Sequence, residues 1–321
     1  MRNLLVVVHL LLFCAGSAQT CCSGGVPLSN NLGLPNEVKG TLLLGLNYDY
    51  NNLSTLNSGS EKLDDDSRQR ITNSMLLNIG YSITDRFSGE LLFTRVHQTR
   101  TINQFGNKNF SETSGIGDAV FLLKYAIPNF IANNGILTTG LGIKAPLGVS
   151  DAKNEQGILH TADLQPGSGA WDGLAWLSFS KNLGFRPSAQ LIASTIYRFT
   201  GKNNSYLNNS AVYEFGNAIQ SNLGYVDQIL VANTIVNPGL VIKYRKSKSD
   251  QIDGSNIPNT GGEWIFVRPE FGVQITPRLA FDARLEIPVY SNVDGTQLTP
   301  TIRFTAGVFF TLRKNNGTIL N

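Results

Sequence analysis

The chain has 321 residues, with 26 Lys plus Arg against 23 Asp plus Glu, a net charge of +3. Only 15% of it is charged, against about 25% in ordinary soluble domains, while the hydrophobic share is a modest 41%. This balance excludes a bundle of spanning helices, gives no electrostatic footprint for nucleic acid, and with 9% aromatics is too apolar and too regularly patterned for a disordered chain.

The N-terminus reads as an export signal. Arg2 precedes the apolar run Leu4–Phe13, and Ala15-Gly16-Ser17-Ala18-Gln19 supplies the small residues of a cleavage site. The apolar run is too short for a spanning helix. Residues 1–19 are therefore expected to be a signal peptide and 20–37 a periplasmic leader or partial plug. Cys14 falls within the signal, which leaves only the adjacent Cys21 and Cys22. Two neighbouring cysteines cannot build a disulfide framework. They fit either a flexible leader, with an intermolecular crosslink as one use, or a soft-metal site that lacks further ligands nearby.

From residue 38 the chain alternates apolar and polar side chains between Gly-, Asn-, Asp- and Ser-rich stretches, the period of a sheet with one greasy and one wet face. Twelve such segments are predicted, at 38–50, 69–83, 86–101, 116–127, 135–147, 169–181, 185–199, 212–225, 234–247, 262–275, 278–291 and 298–313. In the last, Ile302, Phe304, Ala306, Val308, Phe310 and Leu312 share a face, with Phe309 the one large residue among the polar set opposite. Most segments exceed ten residues. Soluble strands average about five or six, and a tilted strand needs about 9–11 to cross a bilayer.

The connections alternate in length. Those near 51–68, 102–115, 148–168, 200–211, 248–261 and 292–297 are polar and mostly long, whereas 84–85, 128–134, 182–184, 226–233 and 276–277 are short. Short turns at one end and long loops at the other, with an even strand number, mark a transmembrane barrel. In hydrocarbon a sheet must close to pair its backbone. The expected fold is all-β: an antiparallel up-and-down transmembrane β-barrel of about twelve strands over 38–313, with 314–321 as a tail. Tyr48, Tyr81, Tyr125, Tyr197, Phe199, Tyr213, Tyr225 and Tyr244 lie near strand ends, as aromatic girdles do.

Three stretches carry a family resemblance. Gly115-Ile116-Gly117-Asp118 resembles the Gly-x-Gly-Asp strand opening of the phenol meta-pathway outer-membrane transporter family of Gram-negative bacteria. Gly140-Leu141-Gly142-Ile143-Lys144-Ala145-Pro146-Leu147-Gly148 resembles its next strand, and Gly167-Ser168-Gly169-Ala170-Trp171-Asp172 is similar to its Gly-x-Gly-x-Trp-Asp signature. The resemblance implies an outer-membrane channel for small, often aromatic or apolar compounds.

With the apolar face outward, the alternation puts Asp49, Glu90, Lys124, Lys144, Glu214, Lys243, Arg245, Arg268, Glu270, Asp282, Arg284, Glu286 and Arg303 on the inner face. The mixture of signs lacks the single-signed ring of an ion-selective pore. It fits either a constriction that screens polar solutes or a salt-bridged lining that stiffens the wall. Within Gly167–Asp172, glycines suit a loop-to-strand junction, Trp171 an interfacial anchor, and Asp172 an inward position.

Catalysis finds little footing. His160, Asp163 and Ser168 could be drawn as a triad, but they lie within one loop and the pattern that activates a serine is missing. No phosphate loop, zinc spacing or EF-hand is present. The reading is a non-enzymatic outer-membrane channel without cofactor or metal, whose partners are membrane lipid, the barrel-assembly machinery and a small solute. Its rivals are a non-conducting adhesion or scaffold barrel and an outer-membrane hydrolase.

Overall fold

The computed structural model describes residues 32–35, 37–130 and 135–313. The signal peptide, Cys21, Cys22 and the tail lie outside the described residues. Twelve long strands form the wall: β1 (Leu42–Ser58), β2 (Arg68–Ser82), β3 (Phe87–Gln104), β4 (Ala119–Pro128), β5 (Gly135–Ala145), β6 (Asp172–Leu183), β7 (Arg186–Phe199), β8 (Ala218–Val226), β9 (Thr234–Ser247), β10 (Gly262–Thr276), β11 (Leu279–Val293) and β12 (Thr296–Leu312). Each pairs antiparallel with the next, and β12 returns to β1 from Leu42↔Leu312 through Ser58↔Thr296. The sheet thus closes, which removes the unpaired edge that hydrocarbon forbids.

The register fixes which face meets lipid. Val308, Leu46, Leu77 and Phe93 are directly opposite one another across β12, β1, β2 and β3. They form an outward row whose members are 45%, 53%, 41% and 38% exposed. Phe121, Leu141, Leu177, Leu223, Ile242 and Phe271 continue the exposed apolar belt round the barrel. A soluble monomer rarely carries so continuous an apolar patch. Among the described residues no helix is long and apolar enough to cross a membrane.

All twelve expected segments are strands, but their outer ends differ. The predicted loop 102–115 is instead a hairpin: β3 runs on and pairs with the strand Asn107–Ile116 as far as Gln104↔Asn107. It turns at Phe105 and Gly106, both at positive φ, in the two-residue form that matches strand twist. The connection expected at 292–297 shrinks to Asp294-Gly295, because β11 and β12 extend into it.

Tyr213–Glu214 leaves the barrel. It joins Lys202–Asn203, Gln251–Ile252 and Ser255–Asn256 in a separate four-stranded sheet built from the long loops. Glu214, expected on the inner face, is therefore not on the barrel wall, and Tyr213 is not part of a girdle. The cause is contact between loops: Gly216 N–H donates to Asp250 and Thr200 N–H donates to Asn217, so the chain is tied down before β8 begins at Ala218. Tyr206, Ile252 and Ile257 pack on Ala162, Tyr213 and Phe215 beneath this sheet.

The inner face is also less uniform than the alternation implied. Leu76, Leu92, Val120 and Leu174 point inward and are fully buried, with Leu32 and Ile196 packed against them. These leucines face protein, since the segment before β1 enters the barrel there.

Candidate functional site: the barrel interior

The three motif stretches converge on one buried knot. Asp118 stands just before β4, Lys144 near the end of β5, and Asp172 opens β6 as the register partner of Lys144. Lys144 Nζ donates to Asp118 Oδ2 at 2.6 Å and to the Ala170 carbonyl at 3.0 Å, lies 3.2 Å from Asp172 Oδ2, and also donates to Ser168 Oγ. Ser168 returns both its N–H (3.0 Å) and its hydroxyl (2.7 Å) to Asp118, and Gly148 N–H donates to Oδ1 of the same carboxylate. The Lys144, Asp118 and Asp172 side chains are 1%, 0% and 4% exposed.

The backbones meet where the knot needs them to. A Cβ on Gly148 would lie 2.7 Å from Gly167 Cα, and one on Gly167 would lie 2.7 Å from Gly148 C, closer than real atoms approach. Both ends of loop 146–171 are thereby clamped to Asp118. Gly115 packs beside Val149 and Pro166, Gly117 beside Thr94, and Gly169 takes φ +69° against Asn203. Trp171 is the outlier, exposed on the outer side.

Between its clamped ends the loop bends inward. Its short 3-10 turn, Ala162–Leu164, is buried. Asp163 Oδ2 lies 3.3 Å from Arg70 and 3.9 Å from Arg100. Arg70 also donates to Gln98 Oε1 and the Asp163 carbonyl, and Gln98 Nε2 donates to the Leu164 carbonyl at 3.2 Å. Arg70, Gln98 and Arg198, which approaches Asp172 at 4.0 Å, are inner-face residues that the sequence reading missed. Arg70 and Gln98 share strands with inward Leu76 and Leu92, and Arg198 with Ile196, so no clean polar stripe flags them.

At the opposite end, residues 32–35 thread the interior. Glu90 Oε2 accepts the N–H groups of Gly33 and Leu34, each at 3.0 Å, and Lys124 Nζ at 3.1 Å. Lys124 in turn donates to the Leu34 carbonyl and lies 5.9 Å above the Trp176 ring. The bracket holds main-chain atoms only, and Leu32 inserts into the apolar cluster beside it.

The wall from β9 round to β1 carries the remaining charges. Lys243 pairs with Glu286 at 2.8 Å, Arg268 with Glu270 at 2.6 Å, Arg284 with Asp282 at 2.8 Å, and Arg303 with Asp49 at 2.9 Å. Thr305 Oγ1 also donates to Asp49, and the Arg245 guanidinium stacks 5.3 Å above Trp264. Arg303–Asp49 joins adjacent strands, Lys243–Glu286 reaches past β10, and the other two pairs lie within one strand; each pairing offsets the desolvation its groups suffer.

The residues drawn as a triad do not assemble. Asp163 faces Arg70 and Arg100, and Ser168 Oγ is engaged with Lys144 and Asp118. His160 offers its carbonyl to Gln165, and burial followed by the nearby Arg100 lowers its pKa. In the sheet above the rim, the Tyr213 hydroxyl donates to Asp250 at 2.7 Å. Burial pushes both groups' pKa values up.

A closed antiparallel barrel with an apolar belt and a charged interior defines a transmembrane β-barrel. Its fold is that of outer-membrane barrels, and an outer-membrane channel from Pseudomonas putida F1 superposes with a TM-score of 0.67 at 18% identity, covering 89% of this chain and 100% of that one. The β-domain of a Bordetella autotransporter is similar at a TM-score of 0.49 and 11% identity, covering 85% of this chain and 100% of that one. No curated protein matches the sequence. The chain belongs to the family described as "Putative MetA-pathway of phenol degradation", whose model matches residues 70–304.

Proposed function

We propose that the protein is a passive outer-membrane channel for small solutes, narrowed from the outside by loop 146–171 and from the periplasmic side by residues 32–35. The observation that carries this reading is the wall from β9 to β1, where Lys243, Arg268, Arg284 and Arg303 each stand within 2.9 Å of a carboxylate. Such a lining orders water and gives neither sign of ion an advantage. The inward charges Lys124, Lys144, Lys243, Arg245, Arg268, Glu270, Asp282, Arg284, Glu286 and Arg303 act on this reading as a stiff polar frame. The family description supports small aromatic compounds as cargo. Insertion would rest on the barrel-assembly machinery acting on the closing strand. Planar-bilayer recordings in a salt gradient test it: discrete openings with a reversal potential near zero are expected.

A second reading, a non-conducting adhesion or scaffold barrel, is favoured by the packed sheet over the mouth. A complete lack of openings at any voltage, with solute-impermeable liposomes, would replace the channel reading with this one.

A further inference from the structure

Residues 32–35 do not fill the lumen evenly. Against β2, β3, β4 and β6 they fit closely: a Cβ on Gly33 would lie 2.8 Å from the Trp176 ring, one on Gly80 would lie 3.0 Å from Leu34, and the Glu90–Lys124 bracket grips the main chain between them. On the other side, a cavity of about 340 Å³ separates residues 32–37 from the wall that runs from β10 round to β2. Glycines make that room. Asp282 has a glycine as register partner on each neighbouring strand, Gly272 on β10 and Gly307 on β12. Phe309 faces Gly45 on β1, and its ring and the Asn47 amide lie down over Gly45 and Gly307.

The charges beside this cavity differ from the rest of the wall. The Asp282 and Arg284 side chains line it and are each 22% exposed, and Glu270, the register partner of Arg284, is 20% exposed. Lys243, Glu286, Arg303 and Asp49 are exposed by 10% or less. Inward-facing charges that keep accessible surface meet water and whatever it carries, whereas the dry pairs serve packing. The wetted charges are matched in sign: Arg284 with Asp282 and Arg313 with Glu37, both at 2.8 Å, and Glu270 with Arg268 at 2.6 Å.

We propose that solutes leave the lumen through this eccentric passage, between residues 32–37 and the wall from β10 to β1, and that Asp282 and Arg284 set its charge preference. The proposal deepens the channel reading and rests on it. Because each wetted cation has its carboxylate, the unaltered passage favours neither sign, and removing one member of the Asp282–Arg284 pair leaves the other to act on passing ions.

Reversal potentials of single channels in a KCl gradient test this with two variants that change opposite signs. Arg284→Gln leaves the passage net negative and should favour potassium roughly fivefold, the effect of one unit charge about 4 Å from an ion in water. Asp282→Asn leaves it net positive and should favour chloride by a similar factor. A merely structural role for the pair would not move the two variants in opposite directions. Ala280→Trp, which fills the cavity, should at least halve the conductance while heat-modifiable gel mobility shows the barrel folded. If one charge variant does not fold, the other still reads the sign. Openings whose selectivity stays unchanged in the folded charge variants, or undiminished conductance in folded Ala280→Trp, remove the eccentric passage and leave the channel reading standing. No openings in the unaltered protein would remove the channel reading, and the passage with it.

Discussion

Lys144 and Asp118 are joined at 2.6 Å inside the wall, with their side chains almost wholly buried. Asp172 completes the cluster at 3.2 Å. One cation thus holds two buried carboxylates, and the ends of loop 146–171 hang on the same cluster. Replacing Lys144 with Ala leaves Asp118 without its cation and Asp172 with only Arg198, 4.0 Å away, and breaking a buried pair in this way costs about 3–5 kcal/mol. The expected outcome is a large fall in the urea midpoint for barrel unfolding. The double variant Lys144→Met with Asp118→Asn should lose less than the two single losses added, since the partners share one interaction.

The Glu90 bracket predicts a change in conductance. Glu90 Oε2 takes the N–H groups of both Gly33 and Leu34. Glu90→Ala frees residues 32–35 from the wall and should raise single-channel conductance, with a smaller rise in Glu90→Gln, which retains an acceptor. Unchanged conductance in both variants would remove the periplasmic constriction from the proposed mechanism.

Asp163→Asn tests the outer constriction. Its carboxylate faces Arg70 and Arg100, while the loop ends stay clamped at Asp118. The tip should loosen without the barrel unfolding. Faster tryptic cleavage after Lys153 and a higher open-state conductance are the expected readouts, with the unfolding free energy falling by only about 1–3 kcal/mol.

Asp250 predicts a pH dependence for the sheet above the rim. Burial raises its pKa above the ordinary 3.8, against the hydrogen bonds from Gly216 and Tyr213 that lower it. The folded form then binds the proton more tightly than the unfolded chain, so stability falls as pH rises from 3.8 through the raised value. Asp250→Asn removes that loss. Amide exchange in 213–214 and 251–252 should be slower in the variant near about pH 7, with the difference vanishing near about pH 4, below the window in which the carboxyl ionises.

Much of the barrel was legible because its causes are local. A period of two places Leu279, Phe281, Ala283 and Leu285 on one face whatever strand lies beside them, and turn residues interrupt the pattern at readable intervals. Where local signals compete, the reading slipped. Glu214 follows the alternation yet sits in a different sheet, because Asp250, on another loop, captures the Gly216 N–H. The Gly-x-Gly-Asp and Gly-x-Gly-x-Trp-Asp motifs were visible as patterns, and Lys144 stood in the stretch between them and among the inward charges, but nothing in the sequence joined it to Asp118 and Asp172.

The sequence by itself determined the strand rhythm, the outward apolar belt and the sidedness of the loops, since each follows from neighbours a few residues apart. The tertiary structure decided which charges meet. Arg303 finds Asp49 across 254 residues, Lys144 finds Asp118 across 26, and Glu90 finds the Leu34 N–H across 56. Barrel closure sets those meetings: the register of each strand pair chooses the partner, and register is a property of two strands together that neither carries alone.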